Sequence, residues 1–266
     1  MNKINEILVA TIGLALLLSS PAVHAEETFF PANEESLTVE ALYFTPTLSL
    51  KVNSNKINYN NGTVDFKNDL GLSDKSAPEY RIQLSNNLRI AYMKLNYNGN
   101  STLHQTLNYQ DVQYNANAVV NSKLDITYVR LTRAHHITWS DTMSIDWLLD
   151  FKGFKFDTAI SGQDASGKMN SAAKTFQGVV PTIGASIIAN LDDEGTIKIN
   201  AEISGLPLGK YGYFYDGEVG LKYKPTEHFS AIAGYRALDL NVKNPSDNEN
   251  GQFKFSGPYF GITGNF

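Results

Sequence analysis

From about residue 37 onward, apolar and polar residues alternate with a period of two, the pattern of strands that present one apolar face. Between Thr142 and about Ile160, Met143, Ile145, Trp147, Leu149 and Phe151 share one face. Ser144, Asp146, Asp150 and Lys152 share the other, with Leu148 among them. Ile197, Ile199, Ala201 and Ile203 oppose Lys198, Asn200 and Glu202; Tyr213, Tyr215, Val219 and Leu221 oppose Phe214, Asp216, Glu218 and Lys222. Phe229, Ala231, Ala233 and Tyr235 oppose Ser230, Ile232, Gly234 and Arg236. Six further segments are less regular: 37–52, 80–84, 88–98, 121–140, 172–191 and 252–266. In 88–98 and 121–140 the phase changes midway, Ile90 and Tyr92 giving way to Met93 and Leu95, which predicts a bulge or a shifted register. Pro181 removes a ladder donor, so 172–191 is expected to be bulged or broken there.

These ten segments cover more than half of the chain, far more strand than an ordinary globular domain holds. Their connections alternate between tight turns (Asn86–Asn87, Ser140–Asp141, Asp192–Gly195, Pro225–Glu227) and long polar links (53–76, 99–120, 161–171, 242–251, with a shorter one at 206–210). Short and long connections alternate in this way in outer-membrane barrels. The expected fold is all-β, a closed antiparallel transmembrane barrel of about ten strands, with eight or twelve as fallbacks. Parity agrees: the opposite register over 142–151 would turn Asp146, Asp150 and Lys152 toward lipid, where a midplane lysine costs about 2–4 kcal/mol and a carboxylate somewhat less. The competing arrangement is a secreted β-sandwich or lipocalin-like barrel with its apolar face inside.

The first residues read as an address. Lys3 precedes an apolar run, Ile7–Ser20, then Pro21 and the small-residue site Val23-His24-Ala25. The run is too short to span a bilayer and reads as a signal peptide, residues 1–25, cleaved after Ala25. Residues 26–36 form an acidic N-terminal tail in the periplasm, and 37–266 the barrel. An even strand count puts both termini on the periplasmic side of a bacterial outer membrane.

Composition narrows the chemistry. The 266 residues include no cysteine, which excludes disulfides, thiolate metal sites and a lipid-modified cysteine; 22 Lys+Arg against 27 Asp+Glu give a net charge of -5. With no basic run, nucleic acid is not an expected partner. His24 leaves with the signal, His228 borders a turn, and His135 and His136 are neighbours on a strand and so face opposite ways. His104 lies in an external link beside Ser101, Thr102 and Gln105; a general base there needs a nucleophile and an orienting group within hydrogen-bond reach, which spacing alone does not place. The stretch Asp247–Gly251 offers oxygen ligands without the spacing of a calcium loop. No catalytic or metal site and no cofactor is expected.

The informative polar feature is the set of inward-facing charges: Glu40, Arg81, Asp150, Lys152, Lys198, Glu202, Asp216, Glu218, Lys222 and Arg236. A small barrel is nearly filled by its own side chains and buried charges must pair. The set is expected to form a salt-bridge network that plugs the lumen, or else to line a narrow watery path. Gly220 and Gly234 would leave room for the larger Arg and Lys heads. The polar stretches Asn53–Gly62 and Leu107–Ala118 could contact a saccharide or a host surface.

The terminal segment KFSGPYFGITGNF, with Phe260, Ile262 and the final Phe266 at alternate positions, resembles the strand by which outer-membrane barrels are recognised for assembly. Val64–Gly99 and Ala233–Lys243 resemble recurrent segments of small Gram-negative outer-membrane β-barrel proteins, a broad group that includes barrels of the OmpA and OmpW types. The resemblance implies fold, location, the barrel assembly machinery, and membrane lipid and lipopolysaccharide as surroundings. It implies no activity, because the group is functionally mixed. The expected function is an integral outer-membrane protein with a largely filled polar lumen, serving envelope structure or narrow passive passage of small solutes. The alternatives are a surface protein binding a ligand or host through its external links and, more remotely, a lipid hydrolase or protease.

Overall fold

The computed structural model describes residues 37–59, 62–84 and 88–266. The expected signal segment with Ala25, the tail 26–36 and the Asn86–Asn87 turn lie outside the described residues. Strands β1 (Leu37–Phe44), β2 (Thr47–Asn53), β3 (Ile57–Tyr59), β4 (Val64–Asp65) and β5 (Ala77–Leu84) come first. Then follow β6 (Leu88–Thr102), β7 (Leu107–Tyr109), β8 (Val112–Tyr114), β9 (Val119–Ser140) and β10 (Met143–Gln163). The last are β11 (Met169–Asn190), β12 (Ile197–Pro207), β13 (Gly212–Tyr223), β14 (Phe229–Asn244) and β15 (Glu249–Asn265).

One sheet runs β1-β5-β6-β9-β10-β11-β12-β13-β14-β15 and closes by pairing β15 with β1. Strand β2 also lies against β15, beyond the break at Thr45-Pro46, so β1 and β2 act as one barrel strand. The result is a ten-stranded ring in which all neighbours are antiparallel. Both described termini meet at one end, where Leu37 and Phe266 exchange backbone hydrogen bonds; this is the near end, and the opposite one the far end.

A polarity inversion organises the wall. Gly153 sits in one cross-strand row with Val129 and Val179, and Val129 continues it to Tyr92. On the near side of this row the outward residues are apolar: Trp147, Leu149, Phe151, Leu131, Ile90, Ile183 and Ile187 are all exposed. On the far side the outward residues become Lys155, Asp157, Thr127, Asp125, Lys94, Asn96, Gln177 and Thr175. The interior inverts in step. Near the midplane it holds charges, and beyond the row it holds Met93, Leu95, Tyr97, Leu124, Ile126, Tyr128 and Phe154, all buried. The row is where the barrel leaves lipid: outside it water replaces acyl chains, and the apolar side chains turn inward. Tyr80 opposite Tyr92, and Tyr43 opposite Phe260, mark this level as an aromatic girdle, with Trp139, Tyr223, Phe229 and Phe266 exposed toward the near end.

This inversion corrects three expectations. The phase change in β6 and β9 is no bulge: the ladder between them runs from Leu88↔Arg133 to Thr102↔Val119 without a shift. Most of the polar links 161–171 and 242–251 are strand, because polar-out and apolar-in is still alternation; the chain reverses only within 164–168 and 245–248. Pro181 does not break β11, which pairs with β10 through it in unbroken register. On its other side, pairing to β12 begins only at Ile183, so the proline lies beside an open edge that asks no donor of it.

Strand length shows the same division. β12 and β13 have 11 and 12 residues, close to the span of a bilayer, whereas β9, β10 and β11 have 22, 21 and 22. The excess carries these strands roughly 25 Å past the membrane at about 3.3 Å per residue and 45° tilt. The links 53–76 and 99–120 fold onto this extension. A three-stranded sheet, β3-β7-β8, is pinned by Tyr114 Oη donating to Ile160 O (3.1 Å) and by a bond between Tyr109 and Thr158.

Candidate functional site: the lumen

Alternation on short strands places charged residues inside the membrane-level part of the barrel, and closure brings opposite walls together. Arg236, 1% exposed, donates from Nε and Nη2 to Asp216 (3.0 and 2.8 Å), from Nη1 to Glu79 (3.1 and 3.2 Å) and from Nη2 to Tyr128 Oη (2.8 Å). Lys152, fully buried, reaches from β10 to Asp216 Oδ2 on β13 (2.7 Å) and donates to Ser204 Oγ (2.6 Å). Arg81 clamps Glu218 with two 2.8 Å bonds and gives a third to Glu79. Arg130 bonds Asp150 and crosses to Glu202, while Thr132 donates to Asp150 (2.6 Å). Burying so many charges is tolerable only because each carboxylate meets several donors.

Nearer the termini, Arg89 bridges Asp146 (2.8 Å) and Glu202 (3.0 Å), and His136 Nδ1 lies 2.7 Å from Asp146, which also accepts from Ser186. Lys222 is 3.4 Å from Glu40, and Lys198, in the wall of the same space, makes no ion pair among the described residues. Below this layer is a cavity of about 330 Å³ open toward the near end. Above the charges a second layer fills the lumen: Phe154 contacts Tyr128, Phe156, Phe214 and Phe253, and Phe255 joins Phe253 to Phe44. Beyond it, an apolar hollow of about 150 Å³ opens at the far end between Leu50, Ile57, Phe156, Phe176, Leu240 and Phe253.

Of the ten inward charges expected from sequence, the structure draws nine into ion pairs and places Lys198 in the cavity wall. Glu79, Arg89, Arg130, His136, Tyr128 and Thr132 belong to the same network but escaped the sequence reading. Glu79 precedes the residue taken as the start of β5, and Arg89 and Arg130 sit in the strands whose inversion looked like a phase change. The shared parity of Glu79 with Arg81, and of Arg130 with Thr132, was the available signal. Gly220 and Gly234 make room for a different group: a Cβ on Gly220 would strike the Tyr259 hydroxyl at 2.5 Å and one on Gly234 the Tyr259 ring at 2.6 Å, rather than an Arg or Lys head.

The other candidates lie apart. His104 is exposed at the far end, His228 faces Asn265 O (3.3 Å) at the near end, and His135 points outward beside Trp147. Asp247 is held in its turn by Asn244 Nδ2 (2.8 Å), and Glu249 accepts from the Asn55 backbone. Phe260, Ile262 and Phe266 form the exposed outer stripe of β15 and its end. At the far end, burial pushes the Asp74 carboxyl up, but Lys67 Nζ (2.6 Å) and the Leu48 N–H (3.0 Å) donate to it and hold it below the usual carboxylate range.

No protein-family model matches the chain, and no curated protein matches it. Among solved structures, the outer-membrane protease OmpT of Escherichia coli is similar with a TM-score of 0.57 and 8% identity, over 91% of this chain and 100% of that one. The attachment invasion locus protein Ail of Yersinia pestis (TM-score 0.33, 11% identity, 88% and 99% covered) and the toluene transporter TodX of Pseudomonas putida (0.35, 9%, 88% and 90%) are more distant. At these identities the likeness establishes the fold alone, that of an outer-membrane β-barrel. It is to such barrels in general and not specifically to the OmpA or OmpW types.

Proposed function

We propose that this protein is a non-enzymatic integral outer-membrane barrel whose lumen is sealed, a structural member of the envelope rather than an open channel. The near end, with both termini, faces the periplasm, and the long β9–β11 extension stands outside the cell among lipopolysaccharide. The observation that carries the reading is the Lys152–Asp216–Arg236–Glu79–Arg81–Glu218 chain, which crosses the lumen from β10 to β5 under a layer of packed aromatic rings. A path for ions would have to break these bonds and separate the rings. Phe260, Ile262 and Phe266 serve as the recognition strand for the barrel assembly machinery.

Single-channel recording in planar bilayers tests the proposal. The purified barrel is expected to give no stable openings, and reproducible ohmic openings would overturn it. A second reading is favoured by the apolar hollow at the far end: the extension acts as a surface binder of a small apolar ligand, taken up between Phe156, Phe176 and Phe253. A saturable rise in the fluorescence of an apolar probe, abolished by Phe156→Asp, would support that reading; an unchanged rise in the variant would remove it.

A further inference from the structure

The near-end cavity holds positive charge that the network does not consume. Its lining includes six Lys and Arg side chains, Arg81, Arg89, Arg130, Lys198, Lys222 and Lys224, against four carboxylates, Glu40, Asp146, Glu202 and Glu218. The three arginines are matched by Asp146, Glu202 and Glu218. That leaves three amines and one carboxylate, Glu40, which reaches Lys222 at 3.4 Å. Lys198 and Lys222 are direct cross-strand partners on the inner face of β12 and β13, with Lys224 two residues further along the same face. Like charges directly opposite each other weaken a strand pair. Nothing among the described residues relieves Lys198.

A second, independent observation points into the same space. Arg89 Nε, Asn200 Oδ1 and Ser230 Oγ are buried without a hydrogen-bond partner, and all three residues line this cavity. Ser230 is 4% exposed. Buried polar atoms in native proteins are almost always satisfied, by protein, water or a ligand. Arg89 Nε and the Ser230 hydroxyl are donors, and the Asn200 amide supplies its NH₂ when turned over. Water would satisfy the hydrogen bonds but not the charge of Lys198 and Lys224, which make no ion pair among the described residues. At about 330 Å³ the space is large enough for a small ligand.

We propose that this cavity is a binding site for a small dianionic oxyanion of the phosphate class. Lys198, Lys222 and Lys224 supply the charge, and Arg89, Asn200 and Ser230 the directed hydrogen bonds. The site lies on the near-end side of the lumen seal, whose Arg81 and Glu218 form part of its lining, and does not depend on whether the barrel conducts. The two sources of such a group are free phosphate and the monoester headgroup of a lipid.

The test is a ³¹P NMR titration of the full barrel, refolded in phospholipid-free detergent at pH 8, with inorganic phosphate in one arm and phosphatidic acid in mixed micelles in the other. Saturable binding is expected in at least one arm, identifying the source. Lys198→Gln should weaken it about tenfold, the scale of one charge-assisted bond. Lys155→Gln, at an exposed far-end lysine paired with Asp157, should leave it unchanged. Lys198→Gln removes a repulsion and keeps the Lys222–Glu40 pair, so it is expected to fold, which heat-modifiable gel migration verifies. Absence of saturable binding in both arms, or equal binding by the folded Lys198→Gln variant, overturns the proposal.

Discussion

Replacing Arg236 with methionine is the sharpest probe of the lumen seal. The thioether chain keeps much of the volume beside Phe255, over whose ring the guanidinium now sits at 5.7 Å, but removes every hydrogen bond. Asp216, Glu79 and the Tyr128 hydroxyl each lose a donor. Removing one member of a buried pair costs about 3–5 kcal/mol, because the other charge stays behind uncompensated. Here both carboxylates retain a second partner, Asp216 its 2.7 Å contact with Lys152 and Glu79 its 2.8 Å contact with Arg81, so about 3 kcal/mol is expected. Equilibrium unfolding in urea from lipid vesicles measures this, read by gel migration and by fluorescence of the two tryptophans, Trp139 and Trp147, which both face outward. Combined with Asp216→Asn in a double-mutant cycle, Arg236→Met should show about 1–3 kcal/mol of coupling between the two positions, Lys152 then keeping its 3.5 Å contact with Asp150. If Arg236→Met lies within about 0.5 kcal/mol of the wild type, the level of an ordinary surface substitution, the network is not a stabilising seal.

Two further outcomes follow from the polarity inversion and from the far-end folds. Val219→Lys, on the lipid side of β13, should cost about 2–4 kcal/mol, while Ala173→Lys, outward on β11 beyond the Gly153 row, should cost about 0–1; equal costs in vesicle unfolding would refute the placement of the membrane. Because the folded pKa of Asp74 is depressed, its clamp on Leu48 and Lys67 is fully present above about pH 4, the unfolded carboxyl's range, and is lost as pH falls through the lower folded value. The Leu48 amide resonance should therefore titrate with a midpoint below about 3.9 and lose that transition in Asp74→Asn; a midpoint at or above 3.9 would contradict the clamp.

What could be read from the sequence and what could not divide along one physical line. On short strands such as β12 and β13, which barely exceed the bilayer, a single rule holds from end to end: apolar toward lipid, polar toward the lumen. Ile197, Ile203, Val219 and Leu221 therefore announced their face directly, and with it the inward set Lys198, Glu202, Asp216 and Glu218. On β6 and β9 the rule reverses where the strand enters water, so Met93 and Leu95 looked like a lost register. Reading the reversal as a fault concealed Arg89 and Arg130, which are inward by the parity of the whole strand. Hydrogen-bond partners were out of reach for another reason: Arg81–Glu218 and Arg236–Glu79 join residues 137 and 157 positions apart, and only closure of the ring sets those distances. In a barrel longer than the membrane is thick, a coherent inversion of parity in neighbouring strands thus marks the membrane surface. Gly153, Val129, Val179 and Tyr92, scattered over the chain, fall in one cross-strand row and mark where the reversal occurs on each strand.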